Sequence, residues 1–204
     1  MRAPISIAVA GVLLATSIPV KAGAVTGIVR MVARGGVAPA AAVVYAEPID
    51  APATRAPKRF TLTQKNKTFQ PHVLAVPLGS TVDFPNNDPI YHNVFSLSKA
   101  SSFDLGRYPK GSTRSVRFDR PGIVKVFCHI HSDMSAVVLV LDNPFFTAPQ
   151  PTGDYEIDRI PPGRYTVVGW HERARPIHRD LTIQPGQRTQ VDLAIPLEDE
   201  PHAR

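Results

Sequence analysis

Val124-Lys125-Val126-Phe127-Cys128-His129-Ile130-His131-Ser132-Asp133-Met134, followed by an apolar run from Val137 to Leu141, decides how this chain is read. Val124, Val126 and Cys128 alternate with their neighbours, so a strand over Ile123 to Phe127 delivers the thiol to the inward face. His131 and Met134 then follow at intervals of three. A tight loop with that spacing turns an imidazole and a thioether back toward the point where the thiolate sits. Upstream, Asn86-Asn87-Asp88-Pro89-Ile90-Tyr91-His92-Asn93 places a further histidine, His92, at the start of another strand.

The strands around this segment belong to an all-β chain. Apolar residues come in short runs between proline and glycine, and no segment sustains a helical period over three turns. The predicted strands are Val25 to Val32, Ala42 to Ala46, Val73 to Val76, Thr81 to Phe84, Asn93 to Leu97, Thr113 to Phe118, Ile123 to Phe127 and Val137 to Leu141. Turn signals at Arg34-Gly35-Gly36, Leu78-Gly79-Ser80, Pro109-Lys110-Gly111 and Arg120-Pro121-Gly122 separate them. Short strands at this spacing predict a β-sandwich over residues 25–143. Asp50 to Arg59, rich in Pro and Ala, reads as a loop. The breaker-rich run 144–154 reads as a linker. The strand pattern then restarts over 155–196, at Tyr155 to Ile157, Tyr165 to Val168, Leu181 to Ile183 and Val191 to Ile195. Four strands bury little surface alone. This second, smaller β-domain must therefore pack on the first or borrow strands from 25–50, and the acidic tail 197–204 is expected to be disordered.

Residues 1–24 read as a secretory signal peptide: Arg2, an apolar stretch from Ile5 to Ile18, Pro19, then the small residues Ala22-Gly23-Ala24, with cleavage after Ala22 or Ala24. The apolar stretch is shorter than the ~20 residues a membrane-spanning helix needs. The alternative is an uncleaved anchor followed by Lys21. Export implies a periplasmic, oxidising setting, in which cysteines normally pair or oxidise. Yet the chain has one cysteine. A lone thiol there is buried, reactive or bound to metal, because it has no internal disulfide partner. The formal charge of +6 includes Arg2 and Lys21 of the leader. The basic residues are scattered and lack interleaved aromatics, which argues against nucleic acid and leaves a solvated face or an acidic protein partner.

Two imidazoles, a thiolate and a weak thioether are the donor set of a trigonal copper centre. Soft sulfur favours Cu(I), imidazole suits both oxidation states, and a long axial methionine tunes the potential. Cys-x-x-His-x-x-Met after an apolar strand, with a distant His-Asn, resembles the cupredoxin signature, and its short Cys-to-Met loop is similar to the amicyanin type. Phe69-Gln70-Pro71-His72, Gly79, Val82 and Phe84 extend the likeness, which covers roughly residues 59 to 142. The resemblance implies a Greek-key sandwich holding one copper per chain, with His92, Cys128 and His131 as equatorial ligands and Met134 as the axial one. It implies that Asn93 ties the two ligand loops together near the thiolate. Two departures stand out: His129 directly follows the cysteine, and Ser132-Asp133 occupies a place where such loops often carry proline. Farther on, Gly153-Asp154-Tyr155 and Ile160-Pro161-Pro162-Gly163-Arg164-Tyr165 resemble the carboxypeptidase regulatory-like β-domain. Bacterial proteins pairing the two are described as methylamine-utilisation-like.

Other readings stand beside this one. Cys128 could be a buried structural thiol, and Met134 a core residue. Zinc would take Cys and His without the thioether. A catalytic Cys/His pair would need an oxyanion hole and a cleft that nothing in the sequence advertises. His129 is expected at the surface, His72 packed in a strand region with a second metal as the alternative, His171 and His178 exposed or hydrogen-bonded, and Trp170 in the core. The expected function is a periplasmic one-electron carrier between redox proteins such as a dehydrogenase and a cytochrome, and not an enzyme. The alternative is a copper-binding or delivery protein, which redox cycling separates from it.

Overall fold

A computed structural model describes residues 21–32, 42–50 and 56–198, and shows strands and no helix among them. The leader stretch 1–20, the turn at Arg34-Gly35-Gly36, part of the expected Asp50 to Arg59 loop and the tail beyond 198 lie outside the described residues. The described residues hold eighteen strands in order. The first nine are β1 (Gly23–Val32), β2 (Val43–Pro48), β3 (Arg59–Thr61), β4 (Thr63–Lys65), β5 (Thr68–Gln70), β6 (Val73–Pro77), β7 (Thr81–Pro85), β8 (His92–Ser98) and β9 (Ser101–Tyr108). Then come β10 (Thr113–Arg117), β11 (Gly122–Phe127), β12 (Ser135–Leu141), β13 (Phe146–Thr147), β14 (Asp154–Ile160), β15 (Gly163–Trp170), β16 (Ile177–Ile183), β17 (Arg188–Gln190) and β18 (Leu193–Pro196).

The central strands form a β-sandwich. One sheet runs β6-β12-β11-β8-β9, and the other runs β10-β7-β3, with the β4-β5 hairpin beside them. Alternation decides what goes inside: Val82 and Phe84 from β7, Val94 from β8, Val124 and Val126 from β11, and Ala136, Val138 and Val140 from β12 meet in one core with Phe69 and Phe118. β12 pairs antiparallel with β11 and parallel with β6, so it lies inside the sheet. After Ser135 its sequence is apolar throughout because both of its faces are covered. Val137, Leu139 and Leu141 point the other way, into a smaller cluster with Val43 and Trp170.

That smaller cluster joins the sandwich to a second pair of sheets. β1 pairs with β14, β17 and β18, while β2 pairs with β13 and β15, and β15 with β16. Strands from the N-terminal stretch therefore complete the C-terminal sheets, around a core of Val25, Val29, Val44, Ile157, Tyr165, Val167, Leu193 and Ile195. The geometry requires glycine at position 27, where an added Cβ would sit 2.0 Å from the Val191 carbonyl oxygen. Three boundaries differ from the sequence reading. Gly23 and Ala24, inside the span read as leader, open β1, and the Ala24 amide donates to Gln187 O at 2.9 Å. The run read as a linker is packed instead, because Phe146–Thr147 pairs with β2 and the Phe145 ring meets Tyr165 edge-on at 5.9 Å. Leu197, expected in the tail, donates its amide to Val32 O at 2.8 Å. No helix among the described residues is long and apolar enough to cross a membrane.

Candidate metal centre

β11 and β12 carry one side of the site. Val124 and Val126 are fully buried, and Cys128 continues the same face at 5% exposure. The chain then turns back within seven residues. Met134 N–H donates to His131 O at 3.0 Å, and Cys128 N–H donates to Met134 O at 3.2 Å, which closes the loop on itself and starts β12. The other side comes from β8, whose first residue is the fully buried His92. The β8–β9 pairing shifts register between Asn93 and Phe95, an irregularity of the kind that re-aims side chains next to functional sites.

These elements bring His92, Cys128 and His131 together, with one donor atom from each lying within 4.8 Å of the others. His92 Nδ1 stands 3.8 Å from Cys128 Sγ, and the two imidazole rings are 4.9 Å apart between centroids. A trigonal ion with bonds of about 2.0 to 2.3 Å to nitrogen and sulfur separates its donors by roughly 3.5 to 3.8 Å, so the His92–Cys128 edge has the length that such a cage needs. Met134 is fully buried in the same core as Cys128.

Hydrogen bonding assigns the nitrogen lone pairs. His92 Nε2 donates to Asp88 Oδ2 at 2.7 Å, which leaves Nδ1 bare toward the thiol. His131 Nδ1 is buried and meets no hydrogen-bond partner. Buried polar atoms are rarely left so, and an orphan acceptor beside a thiol and a second bare imidazole nitrogen is what a cation would satisfy. Burial, then the neighbouring His92 and Lys67, push the His131 imidazole below its ordinary pKa, toward the neutral form that ligates. The donor set of two imidazoles, a thiol and a nearby thioether fits copper.

Asp88 has no role in the sequence reading. Burial pushes its carboxyl up, but the Lys67 amide, His92 and the Asn66 amide outweigh it and hold the pKa below the usual value. The two amides reach its oxygens at 2.8 and 2.6 Å, from residues that both adopt positive φ. Asp88 N–H in turn donates to Asn86 Oδ1 at 2.9 Å. The Asn-Asn-Asp-Pro run signals a turn. The carboxylate's target depends on a second turn some twenty residues away, which the sequence does not join to it.

Asn93 is buried and links the two ligand segments: its Oδ1 accepts from His129 N at 2.8 Å, and its Nδ2 donates to Asp104 Oδ1 at 2.8 Å. His129 is exposed and stacks flat on Phe95, with centroids 3.7 Å apart and planes 5° off parallel. His72 is exposed in the bend before β6 and bonds to Ser135 O and Glu172. His171 is buried and accepts from Arg173 N at 3.0 Å, His178 is exposed on β16, and Trp170 is buried. His131 borders a shallow depression of about 610 Å³ lined also by Ile90, Tyr91, Arg107 and Ile130, three of them exposed apolar residues.

No family model and no curated protein matches the chain. Among solved structures it is similar to a Cu-containing nitrite reductase from Thermus scotoductus SA-01, at 24% identity over 47% of this chain and 25% of that one, with a TM-score of 0.40. It is also similar to a purple cupredoxin from Nitrosopumilus maritimus, at 22% identity over 41% of this chain and 99% of that one, TM-score 0.37. A reduced Cu(I) form of an amicyanin mutant shares 20% identity over 48% of this chain and 99% of its own, TM-score 0.39. This chain thus spans a quarter of the reductase's length, and each of the three likenesses covers less than half of this chain.

Proposed function

We propose that the chain is a cupredoxin that carries single electrons, with one copper held by His92 Nδ1, Cys128 Sγ and His131 Nδ1 and an axial Met134. The observation that carries this reading is the donor triangle of Cys128, the Asp88-oriented His92 and His131, together with a buried His131 Nδ1 that has no hydrogen-bond partner. Copper bound there would supply a Cu(II)/Cu(I) couple. The protein's part is to hold the ligands still. Asp88 fixes the His92 ring, Asn93 ties β8 to the residue after Cys128, and the Cys128–Met134 bond closes the loop. A cage so constrained rearranges little between oxidation states, which suits electron transfer rather than substrate chemistry.

His131 is the ligand beside the surface. The apolar depression around it, with Arg107 at its edge and Lys67 near its ring, supports docking of a redox protein that is apolar at the centre and acidic at the rim. The periplasm is the compartment proposed, with a leader ending at Ala22, since that cut leaves β1 whole. On the same reading the C-terminal half is a carboxypeptidase regulatory-like sandwich, supported by its two four-stranded sheets around one core. Metal analysis with a redox titration of the full chain tests the proposal. One copper per chain undergoing reversible one-electron reduction is expected. Two tightly held coppers, or a copper that does not cycle, would overturn it.

A further inference from the structure

The loop that carries the ligands is closed from inside by two hydrogen bonds; Asn93 of β8 holds its Cys128 end, and a bond from the other direction reaches its Met134 end. Ser135, next to Met134, offers its carbonyl to His72 Nδ1 at 3.1 Å. The same imidazole meets Glu172 Oε1 through Nε2 at 2.6 Å, and the His72 carbonyl accepts from Val137 N at 2.8 Å. A carbonyl and a carboxylate can only accept, so both bonds form when both ring nitrogens carry hydrogen. Glu172 lies two residues past β15, which ends at the buried Trp170, and follows the buried His171. His171 Nδ1 accepts from Arg173 N and fixes the turn on which Glu172 stands.

We infer that Glu172 and His72 are positioning residues through which the C-terminal half braces the Met134 end of the metal loop, an inference that rests on the copper reading above. The His72 and Glu172 side chains are 43% and 28% exposed, and pairs so open to water add little to global stability. Their effect is local, on the freedom of Ser135 and of the methionine before it. This gives His72 a task other than a second metal. It also ties the second pair of sheets to the site, to which they contribute no ligand.

The test is amide hydrogen exchange on the metal-free full chain, read at Cys128 and Met134, whose N–H groups close the loop. Glu172→Ala and His72→Phe should speed exchange at both amides by about tenfold and leave Val82 and Phe84 of β7 unchanged. Glu172→Gln, which keeps an acceptor oxygen, should restore most of the protection. In the copper-loaded protein Glu172→Ala should also shift the reduction potential. Glu156→Ala, which removes the exposed pair with Arg188 far along the C-terminal sheet, should not shift it. Exchange within twofold of wild type at Cys128 and Met134 in the alanine variant overturns the brace. Should His72→Phe fail to fold, Glu172→Ala carries the test alone. The exchange readout needs no copper, so failure of the copper reading would show separately, as a wild-type chain that binds no redox-active copper.

Discussion

His92 donates to a carboxylate that two backbone amides already hold, so a chain of hydrogen bonds runs from the Asn66-Lys67 turn to the thiol-facing nitrogen. Asp88→Asn keeps the shape but leaves His92 Nε2 facing an amide that can offer either oxygen or NH2, which weakens control of the tautomer. Outer partners of this kind typically matter 10- to 100-fold, so copper affinity measured by competition with a chelator should fall by about that factor. An unchanged affinity would remove Asp88 from the site. With Met134 as the proposed axial ligand, Met134→Leu should keep the visible colour and shift the potential, since only a weak contact would go; loss of colour would make Met134 more than axial. The candidate ligands were legible because their side-chain types are distinctive and the spacing of three fits one tight loop. Asp88 was not, because an aspartate in an Asn-Asp-Pro turn reads the same whether its carboxylate caps a turn or orients an imidazole.

β12 shows what alternation reveals and what it hides. After Ser135 its residues form a continuous apolar run, which sequence reads as a strand without telling what covers each face. In the structure Ala136, Val138 and Val140 fill the sandwich that carries the candidate site while Val137, Leu139 and Leu141 meet Val43 and Trp170. Leu139→Ala should therefore destabilise the protein by about 2 to 5 kcal/mol, with urea unfolding as the measurement. A loss below about 1 kcal/mol would mean that the second face is poorly packed. The strands that sequence missed are of two kinds. β3, β4, β5 and β17 are three residues each and β13 is two, too short to show a period. β9 is long but polar, with Phe103 and Leu105 only partly buried, because it runs along the edge of its sheet.

Across the whole molecule, the chain crosses between its halves in a way that local patterning could only raise as an option. β1 and β2 precede the sandwich of the candidate site in sequence yet lie in the sheets of β14 to β18. Deleting 150–204 would strip both of their main partners and bare the outer face of β12, so the shortened chain should aggregate. A soluble, monomeric product by size exclusion, with an unchanged melting temperature, would contradict that dependence. Copper should stabilise the full chain by about 2.7 kcal/mol when free metal is a hundredfold above its dissociation constant. Thermal unfolding with and without the metal reads this gain, which Cys128→Ser should largely remove. The most direct test of the central claim is one optical spectrum of the Cu(II)-loaded full chain beside its Cys128→Ser variant. An intense visible sulfur-to-copper charge-transfer band in the wild type, absent from the serine variant, is the predicted result. A wild-type spectrum without that band, or a serine variant that keeps it, would contradict the assignment of Cys128 as a copper thiolate.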